Sequence, residues 1–158
     1  MNEAVAASEY VTFTIGDQLF GLPIGRVQDV FKPAQITRVP LAPPEIAGII
    51  NLRGRIVTTL NLATRLGLPS AIAAEKGGKS GGTPMAIGIE SGAESFGLLV
   101  DAVGEVLKLA EASREPNPIN LDRKLARVSS GVFRLDDSLL VVLDVDRVLD
   151  LGPEAAAA

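Results

Sequence analysis

The chain has 158 residues, 15 Lys+Arg against 19 Asp+Glu, a formal net charge of -4 and an isoelectric point near 4.9, a balance that disfavours nucleic acid, whose binders show a basic stripe. Cysteine and histidine are both absent, which removes disulfides, thiol chemistry, the commonest general base and the commonest metal ligand, so neither catalysis nor a cofactor is expected. A chain of this size buries roughly 70% of its unfolded surface and needs no staple. The first nine residues carry no basic leader and no uncharged apolar run approaches the ~20 residues that span a bilayer, so the expected location is the cytoplasm, without membrane insertion.

In chain order the pattern is mainly β. Val11, Phe13 and Ile15 alternate with Thr12 and Thr14, which predicts a strand after a flexible N-terminus over residues 1–9. Ala47 to Val57 reads as a strand, a sharp turn at Arg53-Gly54 where glycine supplies a positive φ, and a second strand. Ile56, Thr58, Leu60 and Leu62 share one face of that second period-two stretch. Asn61 then offers an N-cap oxygen to a short helix with Leu62, Arg65 and Leu66 at i, i+3, i+4. Residues 74–84 are rich in glycine and form a flexible loop. Gly78-Lys79-Ser80 within it does not complete a phosphate-cradling loop, because position 73 is alanine. Leu139 to Leu143 is an unbroken apolar run that suits a strand buried on both faces. Asp144 repeats the capping pattern before Val145, Val148 and Leu149, and a tail over 152–158 closes the chain.

The two caps belong to a wider regularity. Phe20-Gly21-Leu22 recurs as Phe96-Gly97-Leu98, and the offset of 96 − 20 = 76 also carries Val27, Val30 and Lys32 onto Val103, Val106 and Lys108. An offset of 83 carries Gly48, Leu52, Leu60, Asn61 and Leu68 onto Gly131, Leu135, Leu143, Asp144 and Leu151, so the second half holds 83 − 76 = 7 extra residues. Matched glycines and polar positions indicate a duplicated module, the first over about 10–73 and the second over about 85–151. Each has the content of a small closed barrel, and whether strands are exchanged between the barrels stays open.

The string Asn51-Leu52-Arg53-Gly54, preceded by Pro44-Glu45-Ile46-Ala47-Gly48 and followed by Ile56-Val57 and Leu60 to Leu62, resembles the signature of CheW-like domains. Phe13 to Gly16, Phe20-Gly21, Val27-Gln28-Asp29-Val30 and Phe96 to Val106 fit the same family, so the resemblance covers about Tyr10 to Leu151. Asn61 stands where the family usually has Asp, and Thr58 where Pro is common; both suit their places, as a cap and in a strand. The resemblance implies an all-β fold with short helices, two SH3-like β-barrels packed on a shared hydrophobic seam. With 158 residues there is no room for a kinase module or a receiver domain, so a free-standing adaptor is expected.

The resemblance further implies a non-catalytic scaffold coupling chemoreceptors to the histidine kinase CheA. Its partners would be the receptor's cytoplasmic tip, the kinase's regulatory domain and other CheW-like domains in rings. A coupling protein of a non-flagellar pathway, serving surface motility or second-messenger control, is the alternative, and an SH3-like nucleic-acid-binding module is a remoter one. By the same resemblance Val27, Asn51 and Arg53 face the receptor, and Ile24, Asp29 and Ile56 lie at kinase contacts. On the residues alone Arg53 reads as a solvated turn arginine, Val27 and Ile24 as core, and Asp29 as a solvated face. At the position matching Arg53-Gly54-Arg55 the second module has Asp136-Asp137-Ser138, so matched hairpin tips carry opposite charge.

Overall fold

The computed structural model describes residues 7–33, 35–68 and 84–150. The glycine-rich loop, its Gly78-Lys79-Ser80 string, the first six residues and the tail therefore lie outside the described residues, as does Leu151. Ten strands form two five-stranded sheets. They are β1 (Ala7–Ile15), β2 (Gln18–Pro23), β3 (Val27–Phe31), β4 (Ile46–Leu52), β5 (Arg55–Asn61), β6 (Met85–Ser91), β7 (Glu94–Val100), β8 (Ala102–Ala110), β9 (Ser129–Arg134) and β10 (Leu139–Leu143). One sheet has the order β8-β1-β2-β10-β9, the other β3-β6-β7-β5-β4. Among the described residues three short helices accompany them: α1 (Leu62–Leu66), α2 (Arg123–Val128) and α3 (Val145–Leu149). β1 begins at Ala7, ahead of the apolar alternation, because Ala7, Ser8 and Glu9 pair with Ala110, Leu109 and Lys108 of β8.

The duplication survives in the pairing. Exchanging β1–β5 for β6–β10 converts the strand order of the first sheet into that of the second. The parallel pair Val141↔Phe20 and Val142↔Gly21 becomes Thr58↔Phe96 and Thr59↔Gly97, register included. Strand exchange, open in the sequence, is what pairs the strands. The β3-β6-β7-β5-β4 sheet is one continuous stretch of chain from Val27 to Val100, and the other sheet is completed by the strands before and after it. The chain thus crosses between sheets only twice, at Pro23–Val27 and at Val100–Ala102.

Each sheet is curled by one bridge between its two edges. After β3 the chain reaches Thr37, whose N–H and C=O pair with Ile49 of β4, both at 2.8 Å. After β8 it reaches Glu115, which pairs in the same way with Val132 of β9 at 2.8 and 2.9 Å. Both bridges sit beside a glycine in an extended, positive-φ bulge, Gly48 at 154° and Gly131 at 147°. A Cβ on Gly48 would lie 2.3 Å from the Thr37 oxygen, so only glycine admits this closure. Thr59, fully buried, is satisfied by donating to the Gly48 carbonyl at 2.9 Å.

The main core is the seam. Phe13, Ile15, Phe20 and Leu22 from one sheet meet Leu60, Ile87, Leu98 and Val100 from the other, with Leu62, Leu66, Val145 and Val148 closing it from the helices. A second cluster, Tyr10, Phe133, Leu140 and Val142, fills the interior of the first barrel. β10 therefore sends Val141 and Leu143 to the seam and Leu140 and Val142 to the interior, as the unbroken apolar run requires. Asn61 accepts from the Thr64 N–H and Asp144 from the Arg147 N–H, each at 3.2 Å, so both caps form. The sequence pattern does not single out α2, which Asp122 caps and which buries Leu125 and Val128.

Candidate partner-binding surfaces

The β4–β5 hairpin is built around its turn. Arg53 (φ 55°) and Gly54 (φ 84°) both take the left-handed conformation, the pairing of a type I′ turn, which matches strand twist. The Asn51 side-chain oxygen accepts the Gly54 N–H at 2.9 Å, locking the turn. Arg55 is tied down by Glu90 at 3.1 Å, and Glu90 also accepts from Gln28 at 2.9 Å. Arg53 is exposed, and its guanidinium has no hydrogen bond or ion pair among the described residues. The turn thus holds out one arginine fork with its donors unspent.

The sheet register relates the other five residues to it. Val27, Ile89, Phe96, Thr58 and Ile49 form one row across the barrel, and Asp29, Gly88, Gly97, Thr59 and Gly48 the next. Asn51 pairs with Ile56 on the opposite side of the Val27 row, next to the turn. Ile24 stands just before Val27 in a 3-10 turn, Ile24–Arg26. Ile24, Asn51, Arg53 and Ile56 therefore lie on the turn side of the Val27 row, and Asp29 lies on the other side of it. Ile24 is 40% and Ile56 58% exposed, far more than aliphatic side chains of the core. Val27 is half-buried and packs on the seam. Asp29 is exposed and shares a concavity with Phe31, Leu52, Arg55 and Phe96, while Asn51 borders a second one with Phe31, Lys32 and Thr37.

Among the described residues five further large aliphatics are exposed, Val30, Val39, Leu41, Val106 and Ile119, and two of them form a matched pair. Val30 on β3 is 38% exposed and its duplicate Val106 on β8 is 48% exposed, so the outer edges of both sheets carry a matched apolar residue. Their signal in the sequence was the repeat itself, which cannot tell a core match from a surface match. The matched hairpin tip, Asp136-Asp137-Ser138, closes β9–β10 with Leu135 N–H donating to the Ser138 carbonyl at 2.8 Å, and its three residues are exposed. The polar cluster Tyr10–Glu111–Arg114 caps the other barrel. Tyr10 donates to Glu111 at 2.7 Å, and Arg114 donates to the Tyr10 oxygen and to Glu111, each at 3.0 Å. The Tyr10 hydrogen bond, aided by Arg114, holds the Glu111 carboxyl below its ordinary value, and burial raises the Tyr10 hydroxyl.

A duplicated, strand-exchanged double barrel that holds out an unspent cation on a fixed turn and carries exposed aliphatics has the form of a protein that presents contact surfaces. Comparison with known proteins agrees. The family described as CheW-like domain matches residues 9–152, and the chain belongs to that family. It is 30% identical over 148 residues to the chemotaxis protein CheW of Thermotoga maritima, covering 94% of this chain and 91% of that one. It is 29% identical over 140 residues to the chemotaxis protein CheW of Treponema pallidum, covering 89% and 81%. The crystal structure of the scaffolding protein TtCheW from Thermoanaerobacter tengcongensis superposes with a TM-score of 0.77 at 30% identity, covering 96% of this chain and 94% of that one.

Proposed function

We propose that the protein is a non-catalytic cytoplasmic adaptor that couples the cytoplasmic tips of chemoreceptors to the regulatory domain of the histidine kinase CheA. The observation that supports this reading is the left-handed turn, fixed by the Asn51–Gly54 hydrogen bond, that holds out Arg53 with no hydrogen bond or ion pair among the described residues. Arg53 is the receptor-facing charge, since its fork can grip carboxylates or the terminal carbonyls of a helical hairpin. Asn51 serves the receptor site by fixing the turn that aims Arg53. Val27 adds apolar area beside the seam. Ile24 and Ile56 are the apolar anchors for the kinase, with Asp29 supplying a charge; burying an aliphatic side chain of this size is worth about 1.5–3 kcal/mol when exposure is complete, and less here.

The test is reconstitution. The purified protein, a receptor-tip fragment and the kinase are combined singly, in pairs and together, and autophosphorylation is followed. The kinase rate should change only when all three are present. Phosphate turnover by the protein alone, or an unchanged rate in the full mixture, overturns the reading.

A further inference from the structure

The seam between the sheets is apolar, and apolar contacts are non-directional, so by themselves they let packed layers slide. Directional ties between the sheets concentrate on α3. From α1, Arg65 Nε donates to the Val148 carbonyl and Nη2 to the Arg147 and Asp150 carbonyls, all at 2.9 Å. These carbonyls lie at the C-terminal end of the helix, where the Arg147 carbonyl also accepts the Asp150 N–H, and one guanidinium reaches all three. At the other end of α3, Asp146 accepts from Arg26 Nη2 at 3.2 Å, and Arg26 belongs to the 3-10 turn where the chain crosses from β2 to β3. The duplication does not repeat the device. Arg65 matches Val148, Asp146 matches Ala63 and Arg26 matches Ala102, none of which can make the reciprocal bonds.

The anchor points give the device a direction. Arg26 is two residues from Ile24 and next to Val27, and α1 follows β5, the strand that carries Ile56. A partner seated on Ile24 and Val27 therefore bears on the Arg26 attachment of α3.

We propose that α3 is a strap that sets the angle between the two barrels, with Arg65 as its fixed attachment and Arg26 as the attachment that partner docking moves. The second clause rests on the proposed function; the first does not. Because the chain has no cysteine, Glu94→Cys on β7 and Asp137→Cys in the β9–β10 turn place one spin label on each sheet, and their distance distribution reports the angle. In this background Arg65→Met, which keeps the apolar stem and loses every donor, should broaden the distribution and move its mean by a few ångström while a cooperative melt persists. Arg65→Lys, with one donor group in place of a fork, should restore it in part. Adding the receptor-tip fragment should shift the wild-type distribution and leave that of Arg65→Met unmoved. A folded Arg65→Met protein with the wild-type distribution overturns the strap. If that variant does not fold at the assay temperature, Arg26→Gln and Asp146→Asn decide: broadening in either supports the strap, and wild-type distributions in both overturn it. A fragment that binds without moving the wild-type distribution overturns the docking clause. A fragment that does not bind refutes the receptor assignment, while the distances of the variants still judge the strap.

Discussion

Replacing Arg53 with glycine should move stability and binding in opposite directions. Arg53 sits at φ 55°, where a residue with a Cβ pays about 1–2 kcal/mol that glycine does not. Glycine in turn gives up about 0.5–1 kcal/mol to the freedom of the unfolded chain. No hydrogen bond or ion pair of Arg53 among the described residues is lost, and the Asn51–Gly54 bond that holds the turn is untouched. The net expectation is a gain of about 0.5–1 kcal/mol, an upward Tm shift of a few degrees for a chain of this size. Receptor binding should weaken by about 2 kcal/mol, roughly thirtyfold, because a charge-assisted contact at an interface disappears. Arg53→Glu should bind more weakly still, since it replaces attraction with repulsion, at a stability within about 0.5 kcal/mol of wild type. The assay is a titration of receptor-tip fragment against each variant, with melting curves and with Asp136→Arg as the matched control that should bind normally. Unaltered receptor binding by Arg53→Gly refutes the site. A lowered Tm refutes the turn geometry on which the argument stands.

Closure of the second barrel gives the next prediction. Gly48→Ala should cost on the order of 3 kcal/mol, because its Cβ meets the Thr37 oxygen and breaks the Thr37–Ile49 bridge, and hydrogen exchange at the Thr37 and Ile49 amides should accelerate with it. Unchanged exchange at those two amides counts against the closure. The last concerns acid. Glu111 has a folded pKa below its ordinary 4.5, so the folded state holds the proton less tightly, and its stabilisation is present above that value and fades as pH falls through the folded one. Tyr10→Phe removes the hydroxyl that is the largest single cause of the shift, so the fall of Tm with pH below 4.5 should be shallower than in wild type. An identical slope would show that the hydrogen bond does not hold that carboxylate ionised.

The sequence carried the repeat, the strands and both helix caps, because these are local. Phe20 and Phe96 or Asn61 and Asp144 announce themselves by residue type and spacing. What pairs with what is not local: an offset of 76 tells which strands correspond, yet β2 lies beside β10 rather than β5, a choice made by the seam that Phe20 and Val141 share. Helix α2 escaped because only Leu125 and Val128 mark its buried side within six residues. Arg53 was legible as an exposed turn residue. The role of Asn51 in holding that turn is local, within four residues, whereas the placement of Ile24 and Asp29 relative to Ile56 depends on long-range register that no short string contains.

The interrupted sheet also sets an order of events during synthesis. The strands from Val27 to Val100 can assemble as soon as they have left the ribosome, but the β1–β2 hairpin, bearing Phe13, Phe20 and Leu22, has only itself to pair with until β8 and β10 follow. After Val100 the ribosome must add 143 − 100 = 43 residues to reach Leu143, about 2–9 s of elongation at roughly 5–20 residues per second. For that interval the nascent chain carries a completed barrel and an uncovered aromatic hairpin, a natural client for a chaperone that holds apolar strands apart.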